Sequence, residues 1–338
     1  MPEINFNQAR EFLEKINSED KVAVIHHDDG DGFCSGIIFY DWCKKQGAEV
    51  EEFTYVISKT KLREFDLSEF NKFIVTDLAS NFMSEELANY DDKEIFYLDH
   101  HPKESGFSDN VKYLITTNLG YVPASRTAYE LTDIRPLLGL TGTINDAGDL
   151  HEENIDFIND KLEEFNISLE EFKDKVSNKV SNTINYFSGE WEKVFGILSE
   201  INCVDDLKKL EEYSHEIESE IRRCVEEYDA KKEKIGDVNF YCFDSKFHVR
   251  GAVSYIISDK YPDEKFIFAS PRENENRISI SGRCQSGEVD MAEFLKAGIV
   301  GLENANAGGH RRASGAGIDK EDLEKFKENV RKFVNSKD

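Results

Sequence analysis

Three short apolar runs each break off in residues that bind cations, and this repeated ending constrains the chain more than any other feature. Val22-Ala23-Val24-Ile25 runs into His26-His27-Asp28-Asp29-Gly30-Asp31-Gly32, Phe73-Ile74-Val75-Thr76 ends at Asp77, and Ile95-Phe96-Tyr97-Leu98 ends at Asp99-His100-His101. Nearly continuous apolar runs alternating with helical patterns predict βαβ units, hence a parallel sheet with helices on both faces. In open parallel sheets ligands bind beyond the carboxyl ends of the strands, where all three clusters fall.

Within the first cluster, Asp29 and Asp31 are two residues apart. On an extended backbone they point the same way, with Cα atoms about 6.5 Å apart, and face one site. Crowded carboxylates repel and take up protons, whereas a divalent cation turns the crowding into binding. The other reading makes Asp29 or Asp31 the N-cap of a helix starting near Cys34, and a lone Asp77 a turn or cap residue.

The remaining pattern predicts helices over 7–17, 34–45, 125–132 and 135–143, and strands over 22–26, 50–57 and 111–115. Asp146, in Gly142-Thr143-Ile144-Asn145-Asp146, is a fourth candidate ligand. From 151 to 236 the chain turns to Lys/Glu-rich helices without proline, read as a connector with a solvated charged face. Strands over 238–243, 265–269 and 277–281, with helices over 251–258 and 291–297, predict a smaller α/β domain. The expected organisation is therefore a parallel-sheet α/β catalytic domain over 1–150, a helical connector over 151–236 and a second α/β domain over 237–338. In the last, Gly308-Gly309-His310-Arg311-Arg312 is expected to open a helix whose bare N–H groups, with His310, suit an anion. A glycine turn with solvated arginines is the alternative.

Charge narrows the partners. The net charge is −26, and it is uneven: residues 237–338 hold 16 Lys+Arg against 17 Asp+Glu, the rest 26 against 51. Such a surface repels long nucleic acids, whose binding depends on neutralising many phosphates, so a nucleic-acid substrate is expected to be short or held locally. Six cysteines without a CxxC pair suggest reduced thiols and a cytoplasmic protein. No apolar run approaches the about 18 residues a membrane span needs, and no basic-then-apolar signal opens the chain.

Four of the eight histidines lie in the two strand-end motifs and a fifth, His310, in the glycine stretch. Mixed His and Asp ligands without thiolates suit Mn²⁺ better than a structural zinc site. A carboxylate shared by two ions holds them about 3.5–4 Å apart, the spacing that activates water for hydrolysis of a phosphorus ester or anhydride.

The ordered series His27-x-Asp29-x-Asp31-Gly32, Asp77, Asp99-His100-His101, Asp146 and Gly308-Gly309-His310 resembles the DHH/DHHA1 phosphoesterase family, which includes RecJ-like exonucleases and oligonucleotide-degrading nanoRNases. The resemblance covers nearly the whole chain, the connector least. It implies two Mn²⁺ ions, with Mg²⁺ as the alternative: one bound by His27 and Asp29, the other by Asp31, His100 and Asp146, with Asp77 bridging. It further implies that His101 faces the scissile phosphate, that Asp99 supports the neighbouring histidine, and that Arg283, Gly308, Gly309 and His310 contact the nucleotide.

Two positions depart from the family. His26 stands where relatives carry a small or hydroxylated residue, so either His26 or His27 is the ligand, and the x-Asp-x-Asp spacing favours His27. Arg126 lies where relatives carry smaller residues; it is expected to contact a phosphate near the metals or to form a surface salt bridge.

The function expected is hydrolysis of short or single-stranded RNA or DNA, linear dinucleotides included, to nucleoside monophosphates. Alternatives are a RecJ-like single-strand exonuclease in a replication or repair complex with a protein partner, a hydrolase of pyrophosphate or a bisphosphate nucleotide, and an inactive scaffold of the same fold.

Overall fold

The computed structural model describes residues 3–57, 59–271 and 276–335. These form two compact units, Met1–Ser214 and His215–Asp338. The boundary falls inside the segment read from sequence as a connector.

The first unit begins with α1 (Phe6–Glu14), whose N-cap Asn5 and Gln8 form a reciprocal capping box. Then follow β1 (Lys21–His27), α2 (Gly30–Lys45), β2 (Glu49–Tyr55), β3 (Lys72–Thr76), α3 (Ser80–Leu87), β4 (Glu94–Asp99) and β5 (Val111–Ile115). All five strands are parallel, in the order β2-β1-β3-β4-β5. Because β1 lies between β2 and β3, the chain leaves it in opposite directions and opens a crevice at the carboxyl ends of β1 and β3.

Alternation along β1 gives each sheet face its own core. Val22 and Val24 pack with α2 residues Phe33, Ile37 and Ile38; Ala23 and Ile25 pack on the other face with Met83 and Leu87 of α3. Such two-sided burial explains why the strands read as continuous apolar runs.

The first unit continues through α4 (Ala124–Thr132), α5 (Pro136–Asn145), α6 (Ile155–Glu164), α7 (Leu169–Phe172), α8 (Asn178–Tyr186) and α9 (Trp191–Ser199). Ile158, Leu162, Phe172, Val180, Phe195 and Leu198 from these helices share one core with Val22 and Val24, while their Lys and Glu residues, buried Lys161 excepted, lie outside it. α10 (Glu211–Lys231) spans the boundary between the units.

The second unit holds β6 (Glu233–Ile235), β7 (Val238–Cys242), α11 (Arg250–Lys260), β8 (Lys265–Pro271), β9 (Arg277–Arg283), α12 (Met291–Gly298), β10 (Asn306–Gly309), β11 (Ala313–Asp319) and α13 (Leu323–Asn335). Its six strands run β10-β11-β9-β8-β7-β6, with only β7 and β8 parallel.

Here the structure corrects the sequence reading. Gly308 and Gly309 open no helix. They end β10 and pair antiparallel with Gly315 and Ser314, and His310 and Ala313 exchange backbone hydrogen bonds across Arg311-Arg312. Gly309 has φ +127°, and a Cβ there would lie 2.8 Å from Ser314 Cα, so the hairpin requires glycine. The stretch lacks the alternating apolar pattern of a strand; pairing with β9 over seven residues supplies the order instead.

α2 begins where β1 stops. Gly32 N–H donates to Asp29 Oδ1 at 3.0 Å, and a Cβ on Gly32 would lie 2.4 Å from the His27 carbonyl oxygen. A backbone atom at that point cannot rotate away, so Gly32→Ala should destabilise the protein by about 1–3 kcal/mol. Calorimetric unfolding checks this; an unchanged transition would contradict it.

Candidate metal centre

The strand register delivers the site. His26 pairs with Thr76 and Thr76 with Leu98, so the next residues, His27, Asp77 and Asp99, stand at one level across three adjacent strands. Asp77 follows β3 with φ +58°, a left-handed conformation rare outside glycine and tolerated by Asp, and its N–H donates to the Leu98 carbonyl at 3.0 Å. That turn brings a carboxylate which is only 2 % exposed over the ends of β1 and β4.

Asp77 lies between two groups of ligand atoms. Its Oδ2 is 3.7 Å from His27 Nδ1, which is itself 2.9 Å from Asp29 Oδ2. Its Oδ1 is 3.3 Å from His100 Nε2, which is also 3.3 Å from Asp146 Oδ2. His27, Asp29 and Asp77 form one group able to hold a cation, and Asp31, His100 and Asp146 another. Two polar atoms turned inward, His27 Nδ1 and Asp77 Oδ2, are buried without a hydrogen bond. Buried polar atoms are nearly always satisfied, so short His–carboxylate distances outside hydrogen-bond geometry fit ligands arranged around divalent ions.

A third combination, Asp77 with Asp99, His100 and His101, also brings ligand atoms together. Asp99 is already engaged. Its Oδ1 accepts from His101 Nδ1 at 2.8 Å, and the Tyr97 hydroxyl, which also reaches the Leu78 carbonyl, lies 3.3 Å from its Oδ2. Wholly buried Asp99 thus fixes the His101 ring, whose side chain is 43 % exposed with Nε2 left over.

Electrostatics follow from the crowding. Burial pushes the Asp77 carboxyl well above the usual range, and the charges of Asp29 and Asp31 add to that. Asp146 is pushed up to about 8 by burial and then by Asp31. Burial opposes the His27 cation, yet the charges of Asp29 and Asp77 outweigh it and raise its pKa to about 11. His101 is raised by its hydrogen bond to Asp99. Acids that would hold protons at neutral pH for want of a counter-charge are the acids a divalent cation would deprotonate.

The chain turns from strand to helix between Asp29 and Asp31, so these two do not share an extended backbone as the sequence suggested. Asp29 is the extended N-cap of α2, and Asp31 lies in its first turn. The cap and ligand readings of Asp29 are therefore compatible, with Oδ1 taking Gly32 N–H and Oδ2 facing His27. Asp31, 1 % exposed, accepts from Ala124 N–H at 2.7 Å and Ser125 N–H at 2.9 Å, the open N-terminus of α4.

Parity separates the adjacent histidines. His26 lies on the face of Val22 and Val24, fully buried against Phe33 and Phe195, with Nε2 3.3 Å from Glu52. His27 faces the cluster, and its Nε2 is 3.2 Å from Asp28 Oδ1.

Arg126 is spent on structure. Its Nε donates to Glu130 at 2.8 Å, its Nη1 to the Glu153 carbonyl at 2.7 Å and Asn154 Oδ1 at 2.9 Å, and its guanidinium lies over Phe157. In the second unit, Arg283 ends β9 with Nε 3.3 Å from the Ser254 hydroxyl, while His310 is exposed in its hairpin.

Sequence reasoning missed Tyr121. Its hydroxyl donates to Asp146 Oδ2 at 2.8 Å, its ring stands edge-on to His100 with centroids 5.1 Å apart, and His151 stacks on it at 4.1 Å. No local motif marks this residue; only the return of the chain after β5 brings it to Asp146.

The DHH family N-terminal domain matches residues 21–146, and the DHHA1 domain matches residues 245–336. The chain belongs to the DHH/DHHA1 family and has its phosphoesterase fold. It is similar to a solved structure of exonuclease RecJ bound to manganese, with TM-score 0.73 and 15% identity over 99% of this chain and 95% of that one. RecJ from Thermus thermophilus in complex with Mn²⁺ gives TM-score 0.70 and 16% identity over 98% of this chain and 55% of that one. A pGpG-specific phosphodiesterase from Vibrio cholerae gives 0.50 and 12% over 94% and 99%. At these identities the likeness is one of fold. A comparison with curated proteins finds no match.

Proposed function

We propose that this protein is a Mn²⁺-dependent phosphodiesterase that hydrolyses short or single-stranded oligonucleotides, linear dinucleotides included, to nucleoside monophosphates. The observation that carries this reading is Asp77, whose two oxygens turn to separate histidine–carboxylate groups, Oδ2 to His27 and Oδ1 to His100. His27 and Asp29 would hold one ion, Asp31, His100 and Asp146 the other, with Asp77 shared. Two such ions would polarise a phosphate and lower the pKa of water toward neutrality.

The chain's own groups do the rest. Asp99 orients His101 so that Nε2 meets the leaving oxygen and passes it a proton. Asp31, gripped by two backbone N–H groups, keeps its position without side-chain freedom. Tyr121 fixes Asp146. Arg283, Gly308, Gly309 and His310 of the DHHA1 domain are assigned to the nucleotide, and Arg126 to structure. The acidic first 236 residues favour short substrates. All six cysteines are free, and among the described residues no helix is long and apolar enough to cross a membrane; the thiols support a cytoplasmic setting.

Tyr121→Phe removes only a hydroxyl, so it should weaken affinity for one ion by about 10–100-fold, as outer hydrogen-bond partners of metal ligands do. Mn²⁺ titration followed by electron paramagnetic resonance measures this.

The reading is tested by incubating the protein and Mn²⁺ with 5′-labelled oligomers of about two to thirty nucleotides, beside pyrophosphate. Release of monophosphates, fastest from the shortest oligomers, is expected. Rates that hold or rise with length would favour the RecJ-like exonuclease, the reading supported by the structural similarity. No hydrolysis of any substrate by metal-loaded protein would sink the enzyme reading.

A further inference from the structure

A cavity of about 230 Å³ opens beside the ligand cluster within the first unit. Its lining joins Asp28, Asp29, Asp31 and Asp146 with Asn145 at the end of α5 and with Ser181, Ile184 and Asn185 on α8. The neutral polar groups have unspent hydrogen-bonding capacity. Ser181 and Asn185, one helical turn apart, make no side-chain hydrogen bond among the described residues. Asn145 Nδ2 is buried without a partner, its Oδ1 being taken by the Ser177 hydroxyl. Polar groups left open at the edge of a reaction site are completed by water or by a ligand.

The lining also says which ligand. The cavity is smaller than the about 300 Å³ from which pockets begin to hold whole drug-sized molecules, so it takes a fragment of a nucleotide. Asp28, the one carboxylate of the lining not assigned to an ion, disfavours a second phosphate. Ile184 is the single apolar residue in the lining, which leaves no platform for a base. A neutral polyhydroxylated ring meets both walls: its hydroxyls donate to Asp28 and accept from the Asn and Ser side chains.

We propose that this cavity is a subsite for the ribose of a nucleotide flanking the scissile phosphate, read through Asn145, Ser181 and Asn185. The inference rests on the phosphodiesterase reading and adds a substrate class. The protein prefers RNA to DNA, because the 2′-hydroxyl is the group by which a protein tells the two apart.

The test compares linear ribo- and deoxyribo-dinucleotides of the same bases, with Mn²⁺, for the wild type, Ser181→Ala and Asn185→Ala. Wild type should favour the ribo form in kcat/KM, and each substitution should narrow that ratio roughly three- to tenfold through KM, the share of one neutral hydrogen bond. Wild-type Mn²⁺ affinity and thermal unfolding certify the fold of each variant. A wild-type ratio near one, or a ratio unmoved in both folded variants, overturns the subsite.

If the wild type cleaves neither dinucleotide, the failure belongs to the phosphodiesterase reading. Calorimetric binding of adenosine 5′-monophosphate against its 2′-deoxy form then decides the subsite. A preference for the ribo form that the variants lose supports it, and equal binding overturns it.

Discussion

Asp77→Asn should lower phosphodiester hydrolysis by about a thousandfold or more, roughly 4 kcal/mol of transition-state stabilisation, and should cost the protein one of the two proposed ions. Asparagine keeps the size of the side chain and tolerates the left-handed backbone that Asp77 adopts, so the loss reports charge and not strain. The metal-free protein should respond in the opposite direction. Asp77 is 2 % exposed and crowded by Asp29 and Asp31, and removing a buried acid that lacks a counter-charge relieves desolvation and repulsion. Its melting temperature without metal should therefore rise while stabilisation by Mn²⁺ shrinks. Calorimetry with and without Mn²⁺, beside the hydrolysis assay, reads all three quantities. Full turnover in Asp77→Asn would end the two-metal assignment.

His101→Ala should lower kcat by about 10²–10⁴-fold, the range of a positioned proton donor, while Mn²⁺ binding stays near wild type. The two assigned ligand groups, His27-Asp29-Asp77 and Asp31-His100-Asp146, do not include His101. The distinguishing readout is the leaving group. A p-nitrophenyl phosphodiester expels p-nitrophenolate, which leaves without a proton, so its hydrolysis should suffer far less than that of a dinucleotide. Equal losses on both substrates would assign His101 to binding instead. Asp99→Asn should reproduce the pattern more weakly, since it leaves Nε2 in place and loosens only the hold on Nδ1.

Most of the candidate metal cluster was legible because its residues end strands. A strand buried on both faces is a continuous apolar run, and an abrupt switch to Asp and His marks its carboxyl end without any knowledge of neighbouring strands. His27, Asp77, Asp99 and His100 were visible for that reason. Two things were not legible. The local path of the backbone between Asp29 and Asp31 looked extended, because an N-cap and a first helical turn carry the same short polar residues as a strand end. The glycine stretch before His310 looked like a helix start, because β10 draws its order from pairing with β11, and β11 from pairing with β9, and not from their own side chains.

By itself, then, the sequence determined a parallel α/β sheet with candidate cation ligands at its strand ends, since period and burial are written locally along the chain. Tertiary structure decided which candidate ligands lie together. Strand order β2-β1-β3-β4-β5 and its register set His27, Asp77 and Asp99 side by side. Strand parity turned His26 into the core and His27 to the crevice. The return of the chain after β5 supplied the α4 N-terminus to Asp31, the Tyr121 hydroxyl to Asp146 and the open polar groups of α8 beside them. Each of these contacts joins residues far apart in the chain, and their distance is fixed only when the sheet and its helices pack.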